Sequence, residues 1–573
     1  MVLKNLQFFI IIILLLQGCH KKEDKNPVTL PEGSINISDL KTKHDYYLPF
    51  AIVNDNSNIQ LALLNNETVD FVNGGFIEFK ENGFYQLVLE HRNLQQTNDT
   101  FLFTTKTEER EDSEWGIMAW IPAPFKTSSL VSEDIEMYYP HRYIDAIKVP
   151  FIFYIKDEST VKSVYCEGRS LSSGESFNIK QGVGSLMIPA SSVSDYQEFI
   201  VGGKHSGVSI TKMQEAPIEL TGIINTQVDI PANSFLKIRG DLNISSKGTL
   251  TIHEGTVILI DEAANINVEG PIVFSGTSIN PVFVTCSQKD KYWGGFITRV
   301  AGGTIDAHYT IYCQSGYHDS EAYNWGHSGR QALFYTENST LKLDHCFILD
   351  NIGQIFYPQN ASIFLDNVLV QRAQTGGQIN NSYISIHNSI FTDFPDDTDV
   401  FVDKDNDALY LSASDADIDN SKFMFAKDDG LDSGNTEGGQ INVTNCRFEA
   451  CFHEGAALSS GNQAVKKHTF KDCVFINCGQ GLELGFSSPY HSVIAENCQF
   501  LNNGIGIRYG DNYDWSEVDG EMFIKNSFSL NNGKDIWNMV RMTWKPKIEK
   551  MSFDNTIVSK LCPQYPKLEI KNN

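Results

Sequence analysis

A three-residue signature recurs nine times in the second half of this 573-residue chain. It reads Asp344-His345-Cys346, Asp366-Asn367-Val368, His387-Asn388-Ser389, Asp419-Asn420-Ser421, Thr444-Asn445-Cys446, Lys471-Asp472-Cys473, Glu496-Asn497-Cys498, Lys525-Asn526-Ser527 and Asp554-Asn555-Thr556. The third members lie 22, 21, 32, 25, 27, 25, 29 and 29 residues apart. A period in the twenties, filled with very short strands such as Thr249-Leu250-Thr251-Ile252 and Val257-Ile258-Leu259-Ile260, predicts a β-solenoid. In such a fold each coil buries its inward side chains against the coils above and below. The texture begins near residue 218, so the solenoid is expected over 218–562, with a short tail at 563–573.

Upstream, short alternating runs are separated by turn signals. Gly75-Phe76-Ile77-Glu78-Phe79 and Phe84-Tyr85-Gln86-Leu87-Val88-Leu89 flank Glu81-Asn82-Gly83. Residues 33–125 therefore read as one β-sandwich-like domain. Residues 126–217, with Val149-Pro150-Phe151-Ile152-Phe153-Tyr154-Ile155, read as a second. The expected fold is all-β, with two small sandwiches serving as a stalk for the solenoid. The 71 Asp+Glu against 45 Lys+Arg give a net charge of −26, a surface that repels phosphate backbones, so nucleic-acid binding is excluded as a function class. No apolar run reaches the roughly 18 residues of a spanning helix.

The N-terminus carries Lys4, an apolar stretch Phe8 to Leu16, and then Leu16-Gln17-Gly18-Cys19. This resembles a bacterial lipobox. The resemblance implies a signal peptide at 1–18, lipidation of Cys19 and a polar tether at 19–32. The run His20-Lys21-Lys22-Glu23-Asp24 is similar to the acidic tether of Bacteroidetes outer-membrane lipoproteins. It implies a chain held at the cell surface by acyl groups without a spanning helix.

The repeat itself resembles the right-handed parallel β-helices of the pectin-lyase-like group, from the opening stretch through Lys291-Tyr292-Trp293-Gly294-Gly295 onward. Cys346, Cys446, Cys473 and Cys498 share their position with Ser, Val and Thr, so they read as small interior fillers, and Cys451 and Cys478 repeat one five-residue offset. Adjacent coils stand about 4.8 Å apart, within disulfide reach, but free buried thiols are the favoured reading. No cysteine pair has zinc-ligand spacing with His.

After each signature the chain reaches a turn and a Gly-containing strand. Aligned on that Gly, or Ala in the first coil, the segments are Asn406-Asp407-Ala408-Leu409-Tyr410, Asp428-Asp429-Gly430-Leu431-Asp432, His453-Glu454-Gly455-Ala456-Ala457, Gly479-Gln480-Gly481-Leu482-Glu483 and Gly504-Ile505-Gly506-Ile507-Arg508. Stacking makes columns: Asn406, Asp428, His453; Asp407, Asp429, Glu454, Gln480; and Tyr410, Asp432, Ala457, Glu483, Arg508. Strict alternation would turn Asp429 inward with Leu431, at a cost of several kcal/mol for an unpaired carboxylate. The chain must therefore bend near Gly430, or a cation or basic group must sit against Asp429. Stacked carboxylates repel, which implies either a hard cation such as Ca2+ or a carboxyl kept protonated as an acid. Upstream, Asp396, Asp397, Asp399, Asp403, Asp405 and Asp407 crowd a loop that reads equally as a solvated face or as a second cation site or rim of the cleft.

Asp428-Asp429-Gly430-Leu431-Asp432 resembles the calcium-binding motif of β-helical pectate lyases, where a Lys abstracts the C5 proton. The equivalent position here holds Ala457, leaving Lys427 or Arg508 to serve. Asn406-Asp407, Asp428-Asp429 and His453 resemble the ordered motifs of polygalacturonase-type glycoside hydrolases, although Glu454 follows the His and no Arg-x-Lys follows. The runs Lys427-Asp428-Asp429-Gly430, His453-Glu454-Gly455 and Gln480-Gly481-Leu482-Glu483 are also similar to β-helical modules associated with CotH-like surface proteins. These likenesses imply a polysaccharide partner, acidic by preference, bound and cleaved by acid/base or cation-assisted chemistry. The implied catalytic set is Asp407, Asp428, Asp429, His453, Glu454 and Arg508, and the implied substrate contacts are Glu483, Tyr509, Asp511 and Trp515. A Ca2+ ion would fall to Asp405, Asp428, Asp429 and Asp432. The alternative is a glycan-binding or adhesion module that uses the same face without cleavage. Trp293, Trp325, Tyr490 and Tyr513 join Tyr509 and Trp515 as candidates for stacking on sugar rings or for packing.

Overall fold

The computed structural model describes residues 35–42, 44–47, 50–71, 75–79, 83–92, 98–106, 135–155, 163–167, 176–178, 180–193, 196–201, 204–395, 406–434, 439–458, 467–485, 492–510, 520–538 and 551–558. The leader with Cys19, the tether, the acidic loop with Asp405, and the 563–573 tail lie outside them.

From Ile218 onward the chain is a right-handed parallel β-helix. Each coil contributes three short strands, one to each of three faces. In one coil these are Asp415–Asp419 on the first face, Lys422–Ala426 on the second and Leu431–Gly434 on the third. The first face is a thirteen-stranded parallel sheet, and the second and third form the long ladder that completes the helix.

The recurring signature is the corner between the first and second faces. Its middle residues, from His345 and Asn367 through Asn526 and Asn555, hold φ between 45° and 56°. Asn and Asp reach this left-handed region more readily than other side-chain-bearing residues, which explains their recurrence. Their amides also stack along the corner: Asn420 Nδ2 donates to Asn388 Oδ1 at 2.7 Å, and Asn445 Nδ2 to Asn420 Oδ1 at 3.1 Å. The third members point inward, and none is more than 2% exposed. Where they are Ser they accept a backbone N–H from the preceding coil, as Ser389 Oγ does from Val368 and Ser421 Oγ from Ser389, both at 3.0 Å. Small side chains are needed there because a larger one would break this close contact. All eight described cysteines of the helix are buried free thiols.

Inside, Phe391, Phe423, Phe448, Phe475 and Phe500 stack coil upon coil with ring centroids 4.8–5.4 Å apart. Each offset-stacked pair contributes about 0.5–1.5 kcal/mol beyond its area burial. The ladder also fixes registry between coils, on which everything outside depends.

The two upstream units are sandwiches. In the first, a five-stranded and a three-stranded sheet enclose Phe50, Phe79, Tyr85 and Phe103. In the second, sheets of three and four strands are joined by a core that includes Phe151, Phe153 and Phe199. They do not form a stalk. The core of the second sandwich runs directly into Val257, Leu259, Phe283, Phe347, Leu369 and Met424 on the second face of the helix. Tyr138 packs on Phe347 with centroids 4.7 Å apart, and Gln181 Nε2 donates to Glu449 Oε1 at 3.0 Å. The sequence shows these outward residues only as apolar strand positions, which does not distinguish inside from covered outside. The first sandwich approaches the same face further along, across a cavity of about 250 Å³ between Phe84 and Leu102 on one side and Leu501, Phe528 and Ile557 on the other. The second face is thus covered by the chain itself, and the third face carries the ionisable strip.

Candidate functional site

A column of glycines builds the strip. A Cβ on Gly430 would stand 2.5 Å from the Gly455 carbonyl oxygen and 2.9 Å from Cys451 Sγ; one on Gly455 would stand 2.7 Å from the Gly481 oxygen and 2.9 Å from the Phe475 ring. These glycines therefore face the core at van der Waals limits that no side chain meets. The residue after each, Leu431, Ala456 or Leu482, is also buried in the core. Two inward positions in succession break the period of two. The residue before each glycine is thereby turned away from the apolar core toward the third face, where Asp429, Glu454 and Gln480 stay buried among their neighbours. The bend expected at Gly430 is present, and a basic group also stands against the carboxylate, His453 Nδ1 lying 3.6 Å from Asp429 Oδ1.

Registry places the predicted columns side by side. Tyr410 pairs with Asp432, Asp432 with Ala457, Ala457 with Glu483, and Glu483 with Arg508. Glu454 pairs with Gln480 in the neighbouring column. The outer column runs on to Trp537 beyond Arg508.

Within this strip the polar groups form a chain of contacts across coils. The Asp429 N–H donates to Asp407 Oδ1 at 3.3 Å, and the Glu454 N–H donates to Asp429 Oδ1 at 2.8 Å. His453 Nδ1 lies 2.5 Å from Glu454 Oε2, 3.2 Å from Asp428 Oδ1 and 3.6 Å from Asp429 Oδ1. Gln480 Nε2 donates to Glu454 Oε1. Gln480 Oε1 accepts from Arg508 Nη1 at 3.0 Å, and the same Nη1 lies 3.5 Å from Glu483 Oε2. The Arg508 guanidinium sits 4.8 Å from the centroid of the Trp537 ring.

Burial sets the electrostatics. Asp407, Asp429 and Glu454 are at most 5% exposed. Desolvation pushes all three carboxyls well above the usual carboxylate range, with the neighbouring acids adding to the rise: Asp428 beside Asp407, Glu454 beside Asp429, and Glu483 beside Glu454. Burial pulls the other way on the His453 imidazolium. Its hydrogen bond to Asp428 and the charges of Asp429, Asp428 and Glu483 outweigh that pull, and its pKa rises to about 9. The strip thus holds a protonated imidazole and carboxyls that retain protons toward neutral pH. The His453 side chain is 26% exposed, so the cluster is open to solvent at this point.

Two sets of donor atoms each lie within 4.8 Å of one another: Asp428, Asp429 and His453, and Asp407, Asp429 and Asp432. The second set is all oxygen and suits a hard cation, although Ca2+ takes six to eight ligands and three carboxylates supply only part of such a shell.

Asp407, Asp428, Asp429, Asp432, His453, Glu454, Glu483 and Arg508 are brought together as the columns require. Tyr509 is not in the groove: it is fully buried in the core, and its hydroxyl donates to the Gly520 carbonyl at 2.8 Å. Alternation explains this, since the neighbour of an outward Arg508 must point inward. Trp293 is likewise a core residue, its indole N–H tied to the Cys313 carbonyl at 2.9 Å. Asp405, Asp511, Trp515, Tyr490 and Tyr513 lie outside the described residues. Arg508 is held by Gln480 and Glu483 against Trp537, so it serves the strip as an internal counter-charge. Sequence reasoning missed Trp537, although Lys534-Asp535-Ile536-Trp537 stands one coil on at the same offset as Arg508. It also missed Tyr335 and Tyr357, which extend the outer column in the other direction.

No curated protein matches the chain. Residues 331–543 match a family model described as right handed beta helix region, a span that includes every acid of the strip and the residues that hold them, so over that stretch the chain is similar to this family.

Proposed function

We propose that the third face of the helix binds an extended polysaccharide across successive coils and cleaves it by acid/base chemistry. The observation that carries this reading is the gathering of Asp407, Asp428, Asp429, Glu454 and His453 from three successive coils into one contact network. Glycoside hydrolysis needs one carboxyl that donates a proton to the leaving oxygen and one that acts as base or nucleophile. Asp429 is suited to the first role because desolvation and its neighbours keep it protonated. Asp428, whose Oδ1 lies 3.2 Å from His453 Nδ1, is placed for the second, while Asp407, held protonated like Asp429, accepts the Asp429 N–H and helps to position it. His453, hemmed by Asp428, Asp429 and Glu454, holds the proton balance of the cluster and can return a proton to Asp429.

A second reading is cation-dependent glycan binding without cleavage. It is favoured by the oxygen-only set Asp407, Asp429 and Asp432, of which Asp407 and Asp429 are buried and Asp432 is partly open to solvent. The same set bears on the sugar. A uronate would meet carboxylates here, and the one Arg in the strip is already paired with Glu483. An acidic glycan therefore fits only with a divalent ion such as Ca2+ between the two sets of carboxylates. Incubation with polyuronates and with neutral glycans, each with and without Ca2+, separates the readings. New reducing ends, or unsaturated ends from a lyase step, support cleavage; calcium-dependent retention with no product supports binding alone.

We further propose that Cys19 is lipidated and holds the protein at the outer membrane, facing outward. The lipobox-like run carries this, and no helix among the described residues is long and apolar enough to cross a membrane. Labelled palmitate incorporated by the wild type and lost in Cys19→Ser, with release of that variant from the membrane fraction, is the expected result.

A further inference from the structure

The outer column that carries Asp432 and Arg508 does not begin with the acids. Ahead of them, in register, stand Tyr335, Tyr357, Gln378 and Tyr410. An inserted segment, Ser315 to Gln331, lies over these residues. Trp325 packs on Tyr335 with centroids 4.5 Å apart and stacks on Tyr357 at 5.9 Å and 18°, and Tyr323 meets its edge at 5.8 Å. His327 lies 4.4 Å from Tyr410, the immediate neighbour of Asp432.

The segment is pinned by its backbone. Gln354 Nε2 donates to the carbonyls of Trp325 and Arg330 at 2.9 and 2.6 Å, and the His327 N–H donates to Gln378 Oε1 at 2.9 Å. Gly326, at φ 69°, supplies the turn that lets Trp325 and His327 reach different coils. This is a rigid platform whose aromatic rings are still partly open: Trp325 and Tyr323 are half-buried, and Tyr317 is exposed. A packing plug would bury its largest ring, whereas this loop holds Trp325 partly in water beside an ionisable cleft.

We propose that Trp325, with Tyr323 and Tyr357, is a sugar-stacking subsite that takes the apolar C–H face of a pyranose ring belonging to the same chain that reaches the acids. This rests on the polysaccharide reading above and adds a direction to it. Tyr357 and Asp432 are separated by three coils, about 14 Å at 4.8 Å per coil. A polymer that touches both must run along the helix axis and cover several sugars. Cleavage is therefore internal to a long chain, and short oligosaccharides reach the acids without the platform.

The test uses the full-length protein in native gels containing polygalacturonate, xylan or glucomannan. Turnover is then compared on the retained polymer and on the trisaccharide of the same backbone. Trp325→Ala is expected to weaken polymer retention and raise its KM about tenfold, leaving kcat and trisaccharide turnover unchanged, with most of the affinity restored in Trp325→Phe. Tyr323→Ala, which leaves the packed indole in place, is expected to show a smaller loss in the same direction. Polymer retention by Trp325→Ala equal to wild type, while Asp429→Asn loses turnover, overturns the subsite and leaves the acid site standing. A wild type unretained on all three gels and without turnover overturns both.

Discussion

The backbone N–H of Glu454 donates to Asp429 Oδ1 at 2.8 Å, so one carboxylate is anchored by the coil that follows it. Asp429 is 25 residues away in sequence and adjacent in space only because the coils are in register. An Asn side chain can accept the same bond but cannot supply the acid's proton. Asp429→Asn is therefore expected to keep the fold, judged by circular dichroism, and to lower kcat on a cleaved polysaccharide by about 10²–10⁴-fold. Unchanged kcat would remove Asp429 from the chemistry.

The protonation of the strip should appear in the stability profile. Asp407, Asp429 and Glu454 have folded-state pKa values above their unfolded ones, and His453 rises from 6.5 to about 9. The folded state thus binds more protons than the unfolded state from about pH 4, where free carboxyls titrate, to about pH 9. Their contribution is fully present below that window and is lost as pH rises through it. In metal-free buffer the thermal midpoint is expected to fall between pH 5 and 9. Asp429→Asn should flatten that fall and stabilise the protein at pH 8 by roughly 1–3 kcal/mol. Added Ca2+ should raise the wild-type midpoint at pH 8 more than that of the variant, if the oxygen-only set is a cation seat.

Gly430 is the hinge of the site. A methyl group there meets the Gly455 backbone oxygen and Cys451 Sγ, neither of which can step aside within the stacked coils. Gly430→Ala is expected to cost about 1–3 kcal/mol in urea unfolding. It should also shift Asp429 and reduce turnover more than its stability loss explains. Wild-type stability in this variant would mean that the core beneath the strip is looser than its geometry implies.

The architecture was largely legible in the sequence, and the reason is steric. A corner that needs positive φ selects Asn, and a tight interior selects Ser or Cys, so Asn420-Ser421 and Asn445-Cys446 mark the same turn. The columns from Tyr410 to Arg508 followed once the coil was known. The direction of Asp429 did not follow, because alternation alone predicts inward; only the absence of room at Gly430 reverses it. Tyr509 was misread for the complementary reason, as an aromatic beside a charged residue that alternation sends into the core. The covered second face was hidden because Phe347 and Leu369 look like core residues in the sequence and are buried by another domain instead.

That corner offers its own test. Asn420 holds φ 47° and links Asn388 to Asn445 through side-chain amides. Asn420→Ala should destabilise by about 1–2 kcal/mol from the left-handed backbone, and Asn420→Gly by less. Equal losses in the two would assign the cost to the amide ladder instead.

Where the polysaccharide lies on the helix can be seen in the electron density of a crystal of Asp429→Asn soaked with a hexasaccharide of a retained polymer. Sugar density is expected along the helix axis on the third face, from the Trp325 platform past Tyr410 to Asp432 and His453. Ordered sugar on the first face, or at the junction with the sandwiches, with the third face bare, would contradict this placement.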